Sequence, residues 1–132
     1  MLVSSASFDA ICLAHAQLVR AEGGDEFRND APQIDRFRPN LVVGGRRLRA
    51  FEEDEWHSVA FSATADSTSS VSFRVERTCT RCVMVNIDQT PGARRSLLFK
   101  TLAVHRRGPL SDGRITFGVL RARRGRVVLA AA

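Results

Sequence analysis

The chain has 132 residues, of which 44% are hydrophobic and 26% are charged, and these are the proportions of an ordinary single globular domain. No run of about 18 apolar residues is present, which excludes a transmembrane helix. The three cysteines, an odd number, do not fit a disulfide framework and indicate a reducing compartment. The first residues carry neither a secretory nor a transit signal, so we expect a cytoplasmic location.

Charge is distributed unevenly along the chain. The net charge is +6, but residues 1–66 carry seven basic and eleven acidic side chains, whereas residues 67–132 carry thirteen and three. Nineteen of the twenty basic residues are arginine, whose planar donors suit phosphate and carboxylate. The composition therefore predicts either an anionic partner or an arginine-biased solvated surface. Nucleic acid is not expected, because the phenylalanines alternate with polar residues, as core residues of strands do.

The first predicted element is a helix over residues 8–21. Ser7 is a suitable N-cap, apolar residues recur on one helical stripe, and two glycines follow at positions 23 and 24. Residues 22–35 are polar and predict a loop. Residues 37–43 are apolar and end at a second glycine pair, which predicts a strand.

The second half of the chain has more strands than helices. Period-two alternation predicts strands over residues 57–63, 71–76 and 82–88. A turn is expected at 90–92, a helix at 96–107, and short closing strands at 113–120 and 126–130. No internal repeat is present. The fold class is therefore α+β, with a mainly antiparallel or barrel-like sheet and a few flanking helices.

The segment Cys79-Thr80-Arg81-Cys82 is the clearest candidate for chemistry. Neighbouring positive charge, from Arg81 and from arginines at 74 and 77, favours the thiolate form of a cysteine. Three interpretations stay open: a zinc site, for which a second ligand pair is missing; a redox pair, for which a helix should follow; or two small core residues at a strand start.

Two further segments contain groups that suit anions. Alternate residues of the run Arg36-Phe37-Arg38-Pro39-Asn40 would share one face of a strand, where two guanidinium groups and an amide could hold a phosphate or a heterocycle. The alternative is a solvated strand edge. Serines precede the first helix at positions Ser4, Ser5 and Ser7, where the helix dipole favours anions, although they could also be a cap and a turn.

The remaining polar residues give no catalytic assignment. His15 and His105 lie on predicted helices and are expected to be structural. The acidic run 52–55 is expected to be a solvated or arginine-pairing surface rather than a metal site. No triad, phosphate-binding glycine loop or carboxylate pair can be assembled.

Several linked motifs in this order resemble the MOSC domain, the C-terminal domain of molybdenum cofactor sulfurases. The resemblance covers about residues 1–120 and is carried by segments 2–7, 36–43, 51–56, 79–84, 85–88 with Gly92, 98–106 and 113–118. The amino-acid sequences of residues 84–88 and 113–118 are most similar to those of eukaryotic cofactor sulfurase C-termini. Several motifs in the right order are more specific than any single CxxC.

The resemblance implies a function as well as a fold. It implies binding of the molybdenum cofactor, a molybdenum ion held by the dithiolene of a pterin that carries a phosphate. Cys82 matches the protein thiolate on molybdenum in the reductase branch of the family, and Arg38 and Asn40 match residues that hold the cofactor. With these, the expected cofactor-binding set is Arg36, Arg38, Asn40, Ser4, Ser5, Ser7 and Arg81. No catalytic residue is assigned.

The expected context is sulfuration of the cofactor for enzymes such as xanthine dehydrogenase and aldehyde oxidase. The alternatives are a reductase of N-hydroxylated compounds, like the mitochondrial amidoxime-reducing component, or a nonfunctional MOSC fragment. In full-length sulfurases a separate domain that uses pyridoxal phosphate supplies the sulfur, and these residues do not include it. A cysteine desulfurase domain is therefore an expected partner, and residues 1–132 are expected to form a single, incomplete MOSC domain.

Overall fold

The computed structural model describes residues 1–22, 27, 31–62, 70–88, 97–108 and 112–123. Five strands are described: β1 (Leu2–Ser4), β2 (Leu41–Val43), β3 (Ser58–Ser62), β4 (Ser70–Thr80) and β5 (Thr116–Arg123). Two α-helices accompany them, α1 (Ser5–Glu22) and α2 (Leu97–His105). Three short 3₁₀ helices lie at Ile34–Phe37, Glu52–Glu55 and Val83–Asn86.

The strands form one curled, mixed sheet in the order β2-β1-β5-β4-β3. The pair β1–β2 is parallel, and the pairs β1–β5, β4–β5 and β3–β4 are antiparallel. This arrangement confirms the α+β class with a mainly antiparallel sheet. None of the helices in the described ranges is long and apolar enough to cross a membrane.

The core lies between the sheet and the two helices. Phe37 and Phe117 are its largest fully buried side chains, and their ring centroids are 4.3 Å apart. Ile11 of α1 and Leu102 of α2 are also fully buried and join the same cluster. Burial of such side chains contributes about 1.5–3 kcal/mol each, so this cluster fixes how the helices lie on the sheet.

Gly118 lets two neighbouring strands approach unusually closely. Its φ is +72°, a conformation that residues with a Cβ rarely adopt. A Cβ built on it would lie 2.7 Å from the carbonyl oxygen of Leu2 and 2.8 Å from Cγ2 of Val3. The position therefore requires glycine for both backbone conformation and space.

The beginning of α1 differs from the sequence prediction. The helix begins at Ser5 rather than at residue 8. Ser7 lies inside the first turn, and its backbone N–H donates to Oγ of Ser4 at 3.4 Å. Ser4, the last residue of β1, is thus the N-terminal cap. The prediction of Ser7 as the cap was wrong because β1 delivers the chain to the helix three residues earlier.

Two predicted strands are wrong in whole or in part. Residues 37–43 form a strand only over β2, because β1 offers just three residues to pair with. Residues 82–88 are not a strand, since the chain leaves the sheet after Thr80 and forms the 3₁₀ helix Val83–Asn86. Predicted strands 57–63 and 71–76 are confirmed as β3 and β4, whereas the turn at 90–92 and the strand at 126–130 lie outside the described residues.

Candidate functional site

A cleft of about 300 Å³ lies where β4 ends and the 3₁₀ helices Ile34–Phe37 and Val83–Asn86 approach each other. It contains two thiols and three guanidinium groups in its lining. The lining residues are Met1, Arg36, Phe37, Arg38, Cys79, Thr80, Arg81, Cys82, Met84 and Val85. The structure thereby brings together two motifs that are about forty residues apart in the sequence.

The end of β4 carries the thiols into this cleft. The register between β4 and β5 shifts between Thr78 and Thr80, with Cys79 at the irregularity. Such bulges bend a strand and redirect its side chains, and they are frequent next to functional sites. Cys79 is half-buried, whereas Cys82 is exposed and stands directly before the 3₁₀ helix; both are free thiols. Neither Arg74 nor Arg77 lines the cleft.

Arg81 holds this segment against the core. Its Nε and one terminal nitrogen donate to the carbonyl oxygen of Phe117 at 3.0 and 2.9 Å, and its other terminal nitrogen donates to that of Phe37 at 3.1 Å. The guanidinium also lies over the Phe37 ring, 5.5 Å from its centroid. Burial lowers the pKa of Arg81, and the neighbouring Cys79 and Cys82 oppose that shift. An arginine stays charged under these conditions, so Arg81 places positive charge beside both cysteines.

The other two arginines reach the cleft from a different element. Arg36 is buried, and its guanidinium donates to Oδ2 of Asp88 at 3.1 Å. Arg38 is exposed, and its backbone adopts the left-handed conformation with φ of 51°. No ion pair to its guanidinium is present among the described residues. The prediction that residues 36, 38 and 40 share one face of a strand is wrong, because the chain forms the 3₁₀ helix Ile34–Phe37 there.

Asn40 lies beyond this lining. Its Oδ1 accepts a hydrogen bond from the amino group of Met1 at 2.5 Å, and its backbone N–H donates to the carbonyl oxygen of Met1 at 2.9 Å. These contacts align the chain before β2 with the chain before β1. In this structure Asn40 therefore supports the strand pairing that adjoins the cleft.

Ser4 and Ser7 contact a buried carboxylate, and none of the three serines of the first segment lines the cleft. Glu53 is 1% exposed, and its oxygens accept hydrogen bonds from the backbone N–H of Ser4 at 3.3 Å and from the hydroxyl of Ser7 at 2.6 Å. The Ser7 hydroxyl oxygen in turn accepts from the backbone N–H of Phe51 at 2.7 Å. Ser5 lies beside Gly44, at which a Cβ would stand 3.1 Å from the Ser5 Oγ. A carboxylate of the chain itself thus occupies the anion-favouring start of α1.

The acidic run 52–55 has mixed roles. Asp54 pairs with Arg106, and Glu52 pairs with Arg49 at 3.7 Å, as expected for an arginine-pairing surface. The expectation of a solvated or arginine-pairing residue is wrong for Glu53, because Glu53 is buried and accepts hydrogen bonds from Ser4 of β1 and Ser7 of α1. The described residues contain no group of three or more His, Cys, Asp and Glu side chains that could hold a metal ion.

Several residues at or near the cleft lie in the segments that the sequence singled out, but they were not assigned as site residues. Thr80 and Met84 line it, and Asp88 anchors Arg36. Met84 is 58% exposed. His15 is buried and within 3.1 Å of the Thr101 hydroxyl, a packing role, while the exposed His105 lines a separate cavity of about 260 Å³ against α1.

Comparison with known proteins places these observations in a family. A family model described as the MOSC domain matches residues 2–129. Molybdenum cofactor sulfurase of Bos taurus is 36% identical over 86 residues, 65% of this chain and 8% of that protein. The protein of the same name from Anopheles gambiae is 35% identical over 100 residues, 73% of this chain and 11% of that protein. The Danio rerio protein is 28% identical over 119 residues, and the chain spans 13% of its length.

Proposed function

This chain belongs to the MOSC domain family, and on that premise we propose that its cleft binds the molybdenum cofactor, with the thiolate of Cys82 as a ligand to molybdenum. The observation that carries the proposal is the shared lining: an exposed thiol and three arginines face one cleft. A thiolate suits a thiophilic metal, and guanidinium groups suit the phosphate of the pterin. The donor set therefore fits the cofactor, and the cleft volume lies at the lower end of the range for small-molecule sites, about 300–1,000 Å³.

Each arginine has a different role in this proposal. Arg38 is exposed and would donate to the phosphate of the bound cofactor. Arg36 is held by Asp88 and adds positive charge to the cleft wall. Arg81 is engaged with two backbone carbonyl groups, so it fixes the position of the thiol-bearing segment and places a positive charge beside Cys82.

The biological context that we propose is sulfuration of the cofactor. Relatives named molybdenum cofactor sulfurase support this context, although the chain spans about a tenth of their length. When bound, the cofactor supplies the molybdenum centre that accepts sulfur. This chain's residues bind and orient that cofactor, while a cysteine desulfurase partner that uses pyridoxal phosphate supplies the sulfur. Xanthine dehydrogenase and aldehyde oxidase are the recipient class, and the setting is the cytoplasm.

The test is co-expression with the cofactor biosynthesis pathway, followed by measurement of molybdenum and oxidised pterin per purified, folded chain. The parent chain is expected to carry both in equal amounts. Cys82→Ala is expected to lose most of the molybdenum, because the thiolate is removed. Cys12→Ala is the matched control, since Cys12 lies on α1 outside the cleft and its removal leaves the lining intact.

A folded parent chain without molybdenum and pterin would contradict the proposal. Equal molybdenum in the parent and in Cys82→Ala would contradict the role of Cys82. Turnover of N-hydroxylated substrates by the loaded chain, given an electron donor, would assign it to the reductase branch rather than to sulfuration.

A further inference from the structure

The cleft lining contains more sulfur than one molybdenum ligand requires. Cys79 and Cys82 are separated by two residues, and Met84, two residues after Cys82, lines the same cleft. Met1 also belongs to the lining. No disulfide joins the two cysteines, so both thiols are available as ligands.

We propose that Cys79, Cys82 and Met84 form a Cu(I) site in this cleft. Soft thiolate and thioether ligands select Cu(I), zinc and iron–sulfur clusters among biological metal centres. Zinc and iron–sulfur clusters use about four ligands of the Cys, His and carboxylate type, and the described residues offer no such group of even three. Cu(I) is satisfied by a smaller set, in which two thiolates and a thioether suffice.

The charge of the cleft agrees with this ion. A Cu(I) ion bound by two thiolates carries a net charge of −1, whereas a zinc ion bound by the same pair would be neutral. Arg81 lies between the two cysteines in sequence, and Arg36 and Arg38 complete a positively charged wall. Positive surroundings stabilise an anionic centre. In this binding step Cu(I) leaves the chelator that delivers it, and the Cys79 and Cys82 thiols lose their protons to solvent. Three sulfur–metal bonds form, two to the thiolates and one to the Met84 thioether, and no electron is transferred.

The copper site goes beyond the proposed function and does not rest on it. Both use Cys82, so Cu(I) and the molybdenum cofactor are expected to exclude each other. Cys79 belongs to the copper site alone, so a substitution of Cys79 distinguishes the copper proposal from the molybdenum proposal.

The experiment titrates the chain, purified without cofactor, with Cu(I) under anaerobic reducing conditions, in competition with the chromophoric chelator bicinchoninate. We expect one Cu(I) per chain. Cys79→Ser and Cys82→Ser should each lower the affinity by roughly 100-fold or more, and Met84→Leu by about tenfold. Cys12→Ser is the matched control and should bind as the parent does. Circular dichroism of each variant establishes that it is folded, and Cys79→Ala replaces Cys79→Ser if serine unfolds β4.

Unchanged affinity in folded Cys79→Ser or Cys79→Ala would overturn the proposal, as would an equal loss in Cys12→Ser. Zinc binding of equal affinity with the same dependence on both cysteines would overturn the preference for Cu(I). Because no cofactor is present in the titration, a failure here leaves the molybdenum proposal standing. Absence of molybdenum in co-expressed protein that still binds Cu(I) would defeat only the proposed function.

Discussion

The N-terminus of α1 and the cleft at the end of β4 both concentrate hydrogen-bond donors, but they differ in what those donors contact. At α1, Ser4 and Ser7 donate to the buried carboxylate of Glu53. At the cleft, Arg36 and Arg81 have protein partners, whereas Arg38 and the Cys82 thiol are exposed. Donors that are hydrogen-bonded to acceptors of the chain itself stabilise the fold, and donors that are exposed to solvent remain able to bind a ligand. The difference separates a structural site, whose carboxylate belongs to the chain itself, from the proposed ligand site.

The largest loss of stability is expected from removing the buried carboxylate of Glu53. Glu53→Ala leaves the Ser4 N–H and the Ser7 hydroxyl without their buried acceptor, which should lower the free energy of unfolding by about 3–5 kcal/mol. Urea denaturation followed by circular dichroism measures it. Glu55→Ala is the control, because Glu55 is exposed in the same 3₁₀ helix, and it should stay within about 0.5 kcal/mol of the parent. Equal stability of both variants would contradict the structural role of Glu53.

The next effect concerns the arginine that links the cleft to the core. Arg81→Met removes hydrogen bonds from a charged donor to the carbonyl oxygens of Phe117 and Phe37, and should lower the unfolding free energy by about 2–4 kcal/mol. Arg81→Lys should restore only part of this loss, since one ammonium group cannot reproduce the planar fork. The same urea denaturation experiment measures the free energy of unfolding of both variants. Full stability in Arg81→Met would show that these contacts do not hold the segment.

A smaller effect on stability and a clear effect on binding are expected at Arg38. Arg38→Ala keeps a Cβ at the left-handed position and removes an exposed guanidinium, so stability should change by less than about 0.5 kcal/mol. Retention of the cofactor, measured as molybdenum per chain after gel filtration, should fall about tenfold, the loss of one charge-assisted hydrogen bond. Arg49→Ala is the control, because its side chain is 79% exposed and outside the cleft lining. Equal retention in both variants would refute the role of Arg38.

The smallest effect concerns the cysteine of α1. Burial raises the pKa of the Cys12 thiol, and Asp9 raises it further. Because only the thiolate reacts, alkylation of Cys12 by iodoacetamide should be slow at neutral pH and should keep rising above the pH at which an ordinary thiol is fully ionised. Asp9→Asn should move that rise to lower pH. Mass spectrometry of labelled peptides measures it, and a pH profile unaffected by Asp9→Asn would contradict this electrostatic cause.

Sequence periodicity predicted several of the helices and strands. The helix α1 and the strands β3 and β4 follow from apolar spacing, and their approximate positions are confirmed. Residues 83–86 alternate as a strand would, yet they form a 3₁₀ helix in which Val85 and Asn86 are buried and the Asn86 side chain accepts a hydrogen bond from the Phe99 N–H of α2 at 2.8 Å. That choice depends on tertiary packing, which outweighs local pattern.

The candidate site was predicted in its residue types more than in its geometry. The sequence singled out Cys82, Arg36, Arg38 and Arg81, and the structure brings them to one cleft. It could not indicate that Glu53 fills the start of α1, because the two segments are 46 residues apart. Long-range pairing of this kind leaves no periodic signal.

The most direct test of the central claim, that the cleft binds the cofactor through Cys82, compares alkylation rates of individual cysteines in cofactor-loaded and cofactor-free chain by mass spectrometry. We expect bound cofactor to slow labelling of Cys82 at least about tenfold, since a metal-bound thiolate is no longer a free nucleophile, while Cys12 reacts at the same rate in both. Equal rates at Cys82 with and without bound cofactor would contradict it.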